Sequence, residues 1–62
     1  MAEFVLITVR GGLEYSEYFP TKRRGMTAFD KMVANAETKR LTVAKLHDLT
    51  GDKPAIVAEF NR

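Results

Sequence analysis

Residues 20–27, with the sequence PTKRRGMT, hold the side chains of this chain that are best suited to binding chemistry. Three consecutive cations, Lys22, Arg23 and Arg24, come just before a stretch with helical spacing. A helix N-terminus presents free amide groups and a partial positive charge, so it attracts anions and disfavours cations by up to ~1 kcal/mol. Cations at this unfavourable position are expected where basic side chains and helical amides bind the same phosphate group.

Aromatic residues beside these cations extend the hypothesis to nucleic acid. Tyr18 and Phe19 lie immediately upstream. In single-strand binding, bases stack on aromatic side chains while cations follow the phosphates. The predicted nucleic-acid-binding residues are therefore Tyr18, Lys22, Arg23, Arg24 and Thr27. The alternative is a solvated basic loop that keeps the protein soluble, because cation clusters on loops are common.

The residue types of catalytic and metal sites are sparse. His47 is the one histidine and there is no cysteine. Asp48 follows it, but neighbours on a strand point to opposite faces, so the two do not form a catalytic dyad. Residues 48–52 carry oxygen ligands without the later glycine and glutamate of a calcium loop, which indicates an Asx turn. We expect no enzymatic activity, no cofactor and no metal.

Length and composition predict one small domain over residues 1–62. The chain is 45% hydrophobic and 29% charged, with a net charge of +2, which is typical of globular proteins. A chain this short buries only ~60% of its unfolded surface. Without disulfides, association with a second copy is the remaining source of stability, so we expect a homodimer. The longest apolar run, residues 4–7, is too short to span a membrane, and no basic leader precedes it, which favours the cytoplasm.

The hydrophobic pattern predicts an α+β fold with the order β-β-α-β-β. One helix would cover one face of a four-stranded, mainly antiparallel sheet. A helix remains the alternative for the third strand. The strands are expected at residues 3–10, 14–19, 40–49 and 55–60 and the helix at 27–37.

The predicted helix begins with Thr27 as its N-cap, and Asp30 forms a weak capping box with it. Apolar residues then recur with the 3.6-residue spacing of one helix face. This stripe consists of Met26, Phe29, Met32, Val33 and Ala36.

The two hairpins leave questions of register. A three-residue loop at 11–13 would pair Arg10 with Glu14, and we prefer it to a two-residue Gly11-Gly12 loop because the opposite charges attract. That register places Phe4, Leu6 and Tyr18 on the uncovered face of the sheet, where they would form a dimer interface. For the second hairpin, a five-residue turn would pair Lys45 with Glu59, whereas a four-residue turn would move Val43 beside Phe60. The sequence does not choose between these two turns.

Two functional hypotheses follow. The first is a small non-enzymatic nucleic-acid-binding module that uses the basic segment and acts as a homodimer. The alternative is a homodimeric protein–protein interaction or inhibitor module that makes no contact with nucleic acid.

Overall fold

The structure, a computed structural model, describes residues 3–62. All strand pairs are antiparallel and form one sheet in the order β2-β1-β3-β4, with the main helix packed on one face. This confirms the predicted α+β fold. The elements are β1 (Phe4–Arg10), β2 (Leu13–Phe19), α1 (Lys22–Ala34), α2 (Ala36–Lys39), β3 (Leu41–Asp48) and β4 (Ala55–Asn61).

The core lies between α1 and the two central strands. Leu41 and Leu46 of β3 are fully buried, and Phe29 of α1 packs into the same cluster. The rest of the predicted helical stripe packs against this cluster, as its spacing indicated. These partly buried residues are Met26, Met32, Val33 and Ala36.

The helical region is divided at Asn35. Its backbone (φ −112°, ψ 27°) leaves the helical conformation, and its side-chain amide donates to the Lys31 carbonyl oxygen at 2.8 Å. The short α2 follows and ends at Arg40, which has a left-handed backbone (φ 56°). The predicted end at Glu37 therefore falls inside α2.

The first hairpin has a two-residue loop, so the preferred three-residue loop is wrong. Gly11 and Gly12 have φ values of 58° and 82°, and a two-residue type I′ turn requires positive φ at both positions. Arg10 consequently pairs with Leu13. Its guanidinium lies 4.0 Å from the centre of the Tyr15 ring, an attraction that replaces the expected pairing with Glu14.

This change of register reverses the expected faces of β1. A slip by one residue moves side chains of one strand to the other face relative to its neighbour. Phe4 and Leu6 lie under α1, where they are 8% and 2% exposed, so their assignment to an open-face dimer interface is wrong. Tyr18 pairs with Val5 on the face that α1 leaves open, and it is 60% exposed.

The open face carries mixed side chains in rows across the four strands. One row runs from Tyr18 through Val5 and His47 to Ile56. Val5 in its centre is buried without any helix above it, while the two ends of the row are exposed. The open face therefore carries Val5, Ile7 and Val9 of β1 in place of Phe4 and Leu6, which belong to the core.

The second hairpin combines both registers that the sequence left open. Lys45 pairs with Glu59, as a five-residue turn requires, and their side chains form an ion pair at 3.5 Å. Nearer the turn the register shifts by one residue at a β-bulge, so that His47 pairs with Ile56. The bulge at Val57 bends this edge of the sheet.

Candidate nucleic-acid interface

The helix α1 begins five residues before the predicted start. Thr21 has an extended backbone, and its hydroxyl oxygen accepts a hydrogen bond from the Arg24 amide at 3.2 Å, which makes it the N-cap. Thr27 lies inside the helix and its hydroxyl donates to the Arg23 carbonyl oxygen at 2.9 Å. The prediction of Thr27 as N-cap is wrong because Thr21 offers the same chemistry earlier and no residue between the two prevents a helix.

Gly25 allows this early start because it brings the first turn against the sheet. It is buried, and a Cβ atom at this position would lie 3.0 Å from Leu46 Cδ1. Gly25 is four residues before Phe29 and therefore on the same helix face. The sequence predicts a loop at this glycine, but its four-residue spacing from Phe29 is the signal of a closely packed helix face.

The three cations occupy the first turn of α1 and are all exposed. No acidic residue lies in that turn. Because successive helical residues are rotated by about 100°, the three side chains point in different directions. Lys22 shares the side of Gly25 and leans toward the sheet, whereas Arg23 and Arg24 extend away from that side.

A carboxylate lies near this turn at the end of β3. The Thr50 hydroxyl and backbone amide donate to Asp48 Oδ1 at 2.6 and 2.8 Å and hold the pKa of Asp48 below its ordinary value, with a smaller contribution from the charge of Lys22. These bonds form the Asx turn that the sequence predicted. Lys22 is thus partly balanced by a negative charge.

Arg23 and Arg24 have no such counterion in the described part of the chain. Within residues 3–62, the ion pairs join Lys45 to Glu59 and Arg62 to Glu37, both at 3.5 Å. These two arginines therefore carry most of the positive charge that the first turn presents to solvent.

The aromatic residues of the predicted site are separated from the cations. Tyr18 lies on the open face of the sheet, opposite the face that α1 covers. Phe19 lies on the helix side and packs against the core. The structure therefore brings Lys22, Arg23 and Arg24 together in one turn but does not place Tyr18 on the same surface.

Elsewhere, the other candidate residues stay apart. His47 and Asp48 point to opposite faces of β3. Over residues 3–62 no group of three His, Asp or Glu side chains is close enough to hold a metal ion. In the same range no helix is long and apolar enough to cross a membrane.

A groove of about 180 Å³ separates β2 from α1 on the helix side of the sheet. Its floor includes Thr8, which is 3% exposed, and Met32 closes it from the helix. Arg10 also lines it, and the Nε atom of Arg10 is buried without a hydrogen-bond partner. This groove has no counterpart in the sequence analysis, because it depends on the corrected register of the first hairpin.

Comparisons with protein-family models, with curated proteins and with solved structures give no match to this chain.

Proposed function

We propose that this protein is a non-enzymatic nucleic-acid-binding module that holds backbone phosphate at the first turn of α1. One observation carries the proposal. Lys22, Arg23 and Arg24 are consecutive and exposed in a turn that contains no acidic residue and whose peptide dipoles disfavour cations, and only Lys22 of the three interacts with a carboxylate, that of Asp48.

The first turn combines two kinds of phosphate donor. The Arg24 amide is used by the Thr21 cap, and the first intrahelical bond runs from the Gly25 amide to the Thr21 carbonyl oxygen at 3.1 Å. The amides of Lys22 and Arg23 have no intrahelical acceptor by their position. A phosphate oxygen at the helix axis accepts from these amides, and an arginine fork grips the other oxygens.

The binding is expected to be independent of base sequence. Phosphate contacts position a nucleic acid but carry no information about its bases. Tyr18, on the opposite sheet face, does not supply stacking to a strand bound at this turn, and the Thr27 hydroxyl is already bonded within the helix. We keep Lys22, Arg23 and Arg24 as the binding residues and the cytoplasm as the expected compartment.

The test compares two variants that remove the same charge. One replaces Lys22, Arg23 and Arg24 by Gln, and the control replaces three exposed lysines outside the first turn, Lys31, Lys39 and Lys53. Fluorescence anisotropy with a labelled single-stranded oligonucleotide should show at least tenfold weaker binding for the first variant and a small loss for the control. Equal loss in both would mean diffuse attraction to a basic protein, and no binding by the parent would refute the proposal.

A protein–protein interaction module remains the second candidate, and β2 is the observation that favours it. This edge strand exposes three large apolar or aromatic side chains, Leu13 (62%), Tyr15 (42%) and Tyr18 (60%). If the parent protein does not bind nucleic acid, this strand becomes the primary functional surface.

A further inference from the structure

The two edges of the sheet differ in how well they could pair with another strand. The edge strand β4 is interrupted by the bulge at Val57, a device that protects edges from pairing. The other edge strand, β2 (Leu13–Phe19), is paired with β1 over all seven residues without a register shift and contains no proline. It is therefore a regular strand with one open side.

The backbone groups on that open side can be identified. The Glu3 carbonyl oxygen accepts from the Leu49 amide at 2.7 Å, although the Glu3 amide donates to the Phe19 carbonyl oxygen, and at the other end of β1 the Gly11 amide donates to the Arg40 carbonyl oxygen at 3.1 Å. Within β1 the odd-numbered residues therefore face β3. Because orientation alternates along a strand, Phe4, Leu6, Thr8 and Arg10 face β2 and bond to Phe19, Glu17, Tyr15 and Leu13. The backbone amides and carbonyls of Glu14, Ser16 and Tyr18 consequently point outward.

We infer that β2 pairs with β2 of a second copy of this chain, antiparallel and with Ser16 on the two-fold axis, to form one continuous eight-stranded sheet. In this register Ser16 lies opposite Ser16 of the second copy. The outward-facing residues then pair with each other, Glu14 with Tyr18. The residues whose backbone groups face β1 pair as Leu13 with Phe19 and Tyr15 with Glu17.

The neighbouring registers of this strand pair are less favourable, one because like charges face each other and the other because residues lose their partners. Outward-facing residues must oppose outward-facing residues, so the register can change only in steps of two residues. A shift in one direction places Glu17 opposite Glu17 of the second copy, where like charges repel. A shift in the other direction shortens the ladder and leaves Tyr18 and Phe19 without partners. The register centred on Ser16 alone uses the whole strand and opposes no like charges.

The same register adds a second carboxylate beside the groove at β2, which Glu17 of the same chain already lines. Arg10 stacks on the Tyr15 ring, and its Nε atom is buried without a hydrogen-bond partner. Directly opposite side chains lie about 5 Å apart between their Cβ atoms, so Glu17 of the second copy lies next to that ring. A carboxylate at this place complements the Arg10 guanidinium. The inference does not depend on nucleic-acid binding.

Two charge variants of Ser16 test the two-fold axis directly. Ser16→Lys and Ser16→Glu each place like charges opposite each other in a dimer of identical chains, and each should raise the dimer dissociation constant at least tenfold. An equimolar mixture of the two variants should form dimers again, because Lys then faces Glu. Asn61→Lys adds the same charge to the same sheet face on the other edge strand and should leave the dimer unchanged.

Sedimentation equilibrium at micromolar to millimolar concentration measures these constants. A parent protein that stays at the monomer mass overturns the inference. So does a parent dimer that Ser16→Lys does not weaken, or a mixture that fails to recover.

Hydrogen exchange gives a second test. It uses only the parent protein, so a variant that fails to fold does not affect it. The amides of Glu14, Ser16 and Tyr18 should exchange more slowly as protein concentration rises. The Glu59 amide serves as the control. The Arg62 amide donates to the Thr42 carbonyl oxygen at 2.9 Å, so on this side of the bulge Ala58 and Phe60 face β3 and Glu59 faces outward. Exchange at β2 that does not depend on concentration contradicts the pairing.

Discussion

Gly25 of α1 lies so close to Leu46 of β3 that a Cβ atom on the glycine would be 3.0 Å from Leu46 Cδ1. Leu46 is fully buried, so its side chain has little room to move aside. This contact holds the first turn of α1 against the sheet and thereby fixes the position of Lys22, Arg23 and Arg24.

Replacing Gly25 by Ala should destabilise the protein. Alanine favours the helix by ~1 kcal/mol over glycine, but overpacking a core costs ~1–3 kcal/mol, so the loss should exceed the gain. Thermal denaturation measures the sign of the change in stability. Combining the change with Leu46→Ala should relieve the clash, and the double variant should be more stable than the sum of the two effects predicts. A Gly25→Ala variant that is more stable than the parent would contradict the close packing.

The two threonines of the helix test where α1 begins. Thr21→Ala removes the N-cap bond to the Arg24 amide and should cost ~1 kcal/mol. Thr27→Ala, at an exposed position inside the helix, should be neutral or stabilising by up to ~0.5 kcal/mol, because alanine has the higher helix propensity. Urea denaturation of both variants compares them. The opposite order of stability would restore the start at Thr27 that the sequence predicted.

Phe29 should be the most sensitive residue of α1. It is 9% exposed and packs in the core cluster. Phe29→Ala should cost ~3–5 kcal/mol, which is close to the whole stability of a domain this small, near ~5 kcal/mol. Circular dichroism at 37 °C should show a largely unfolded variant and a folded parent. The exposed neighbour Asp30→Ala is the control and should change stability by no more than ~0.5 kcal/mol. A folded Phe29→Ala variant would mean that α1 packs through another face.

The Asx turn at Asp48 gives a dependence on pH. The Thr50 hydroxyl and amide hold the pKa of Asp48 below its ordinary value of 3.8. A depressed pKa in the folded state means that the stabilisation is complete above the unfolded pKa and is lost as the pH falls through the folded one. Thr50→Val removes the hydroxyl donor, so it should raise the pKa of Asp48 and lower the melting temperature at neutral pH.

That difference in melting temperature should shrink in acid, once Asp48 is protonated in both proteins. NMR titration of the Asp48 carboxyl carbon measures the pKa directly. A pKa of Asp48 in the parent at its ordinary value, or a difference between the two proteins that persists in strong acid, would refute this account.

The fold class followed from the sequence because local signals agreed with each other. The Gly11-Gly12 break, the spacing of Met26, Phe29 and Met32, and the turn before Ala55 each marked an element that the structure contains. These signals are residue types at turns and the spacing of apolar residues within one element, and a sequence shows both directly.

The register and the helix start did not follow, for a different physical reason. The charge match of Arg10 with Glu14 favoured a three-residue loop, but the backbone preference of two glycines and the stacking of Arg10 on Tyr15 outweighed it. The helix start was decided by the contact of Gly25 with Leu46, which is distant in sequence. The first error placed Phe4 and Leu6 on the open face instead of in the core, and the second placed the three cations before the helix instead of in its first turn.

The salt dependence of binding tests the proposed function most directly. Each phosphate contact to a single strand contributes about −0.7 to the slope of log affinity against log salt concentration, so three contacts predict a slope of about −2. Replacing Lys22, Arg23 and Arg24 by Gln should reduce that slope to near zero while the fold persists. A slope that the substitution leaves unchanged, or no binding by the parent at ~50 mM salt, would contradict phosphate binding at the first turn of α1.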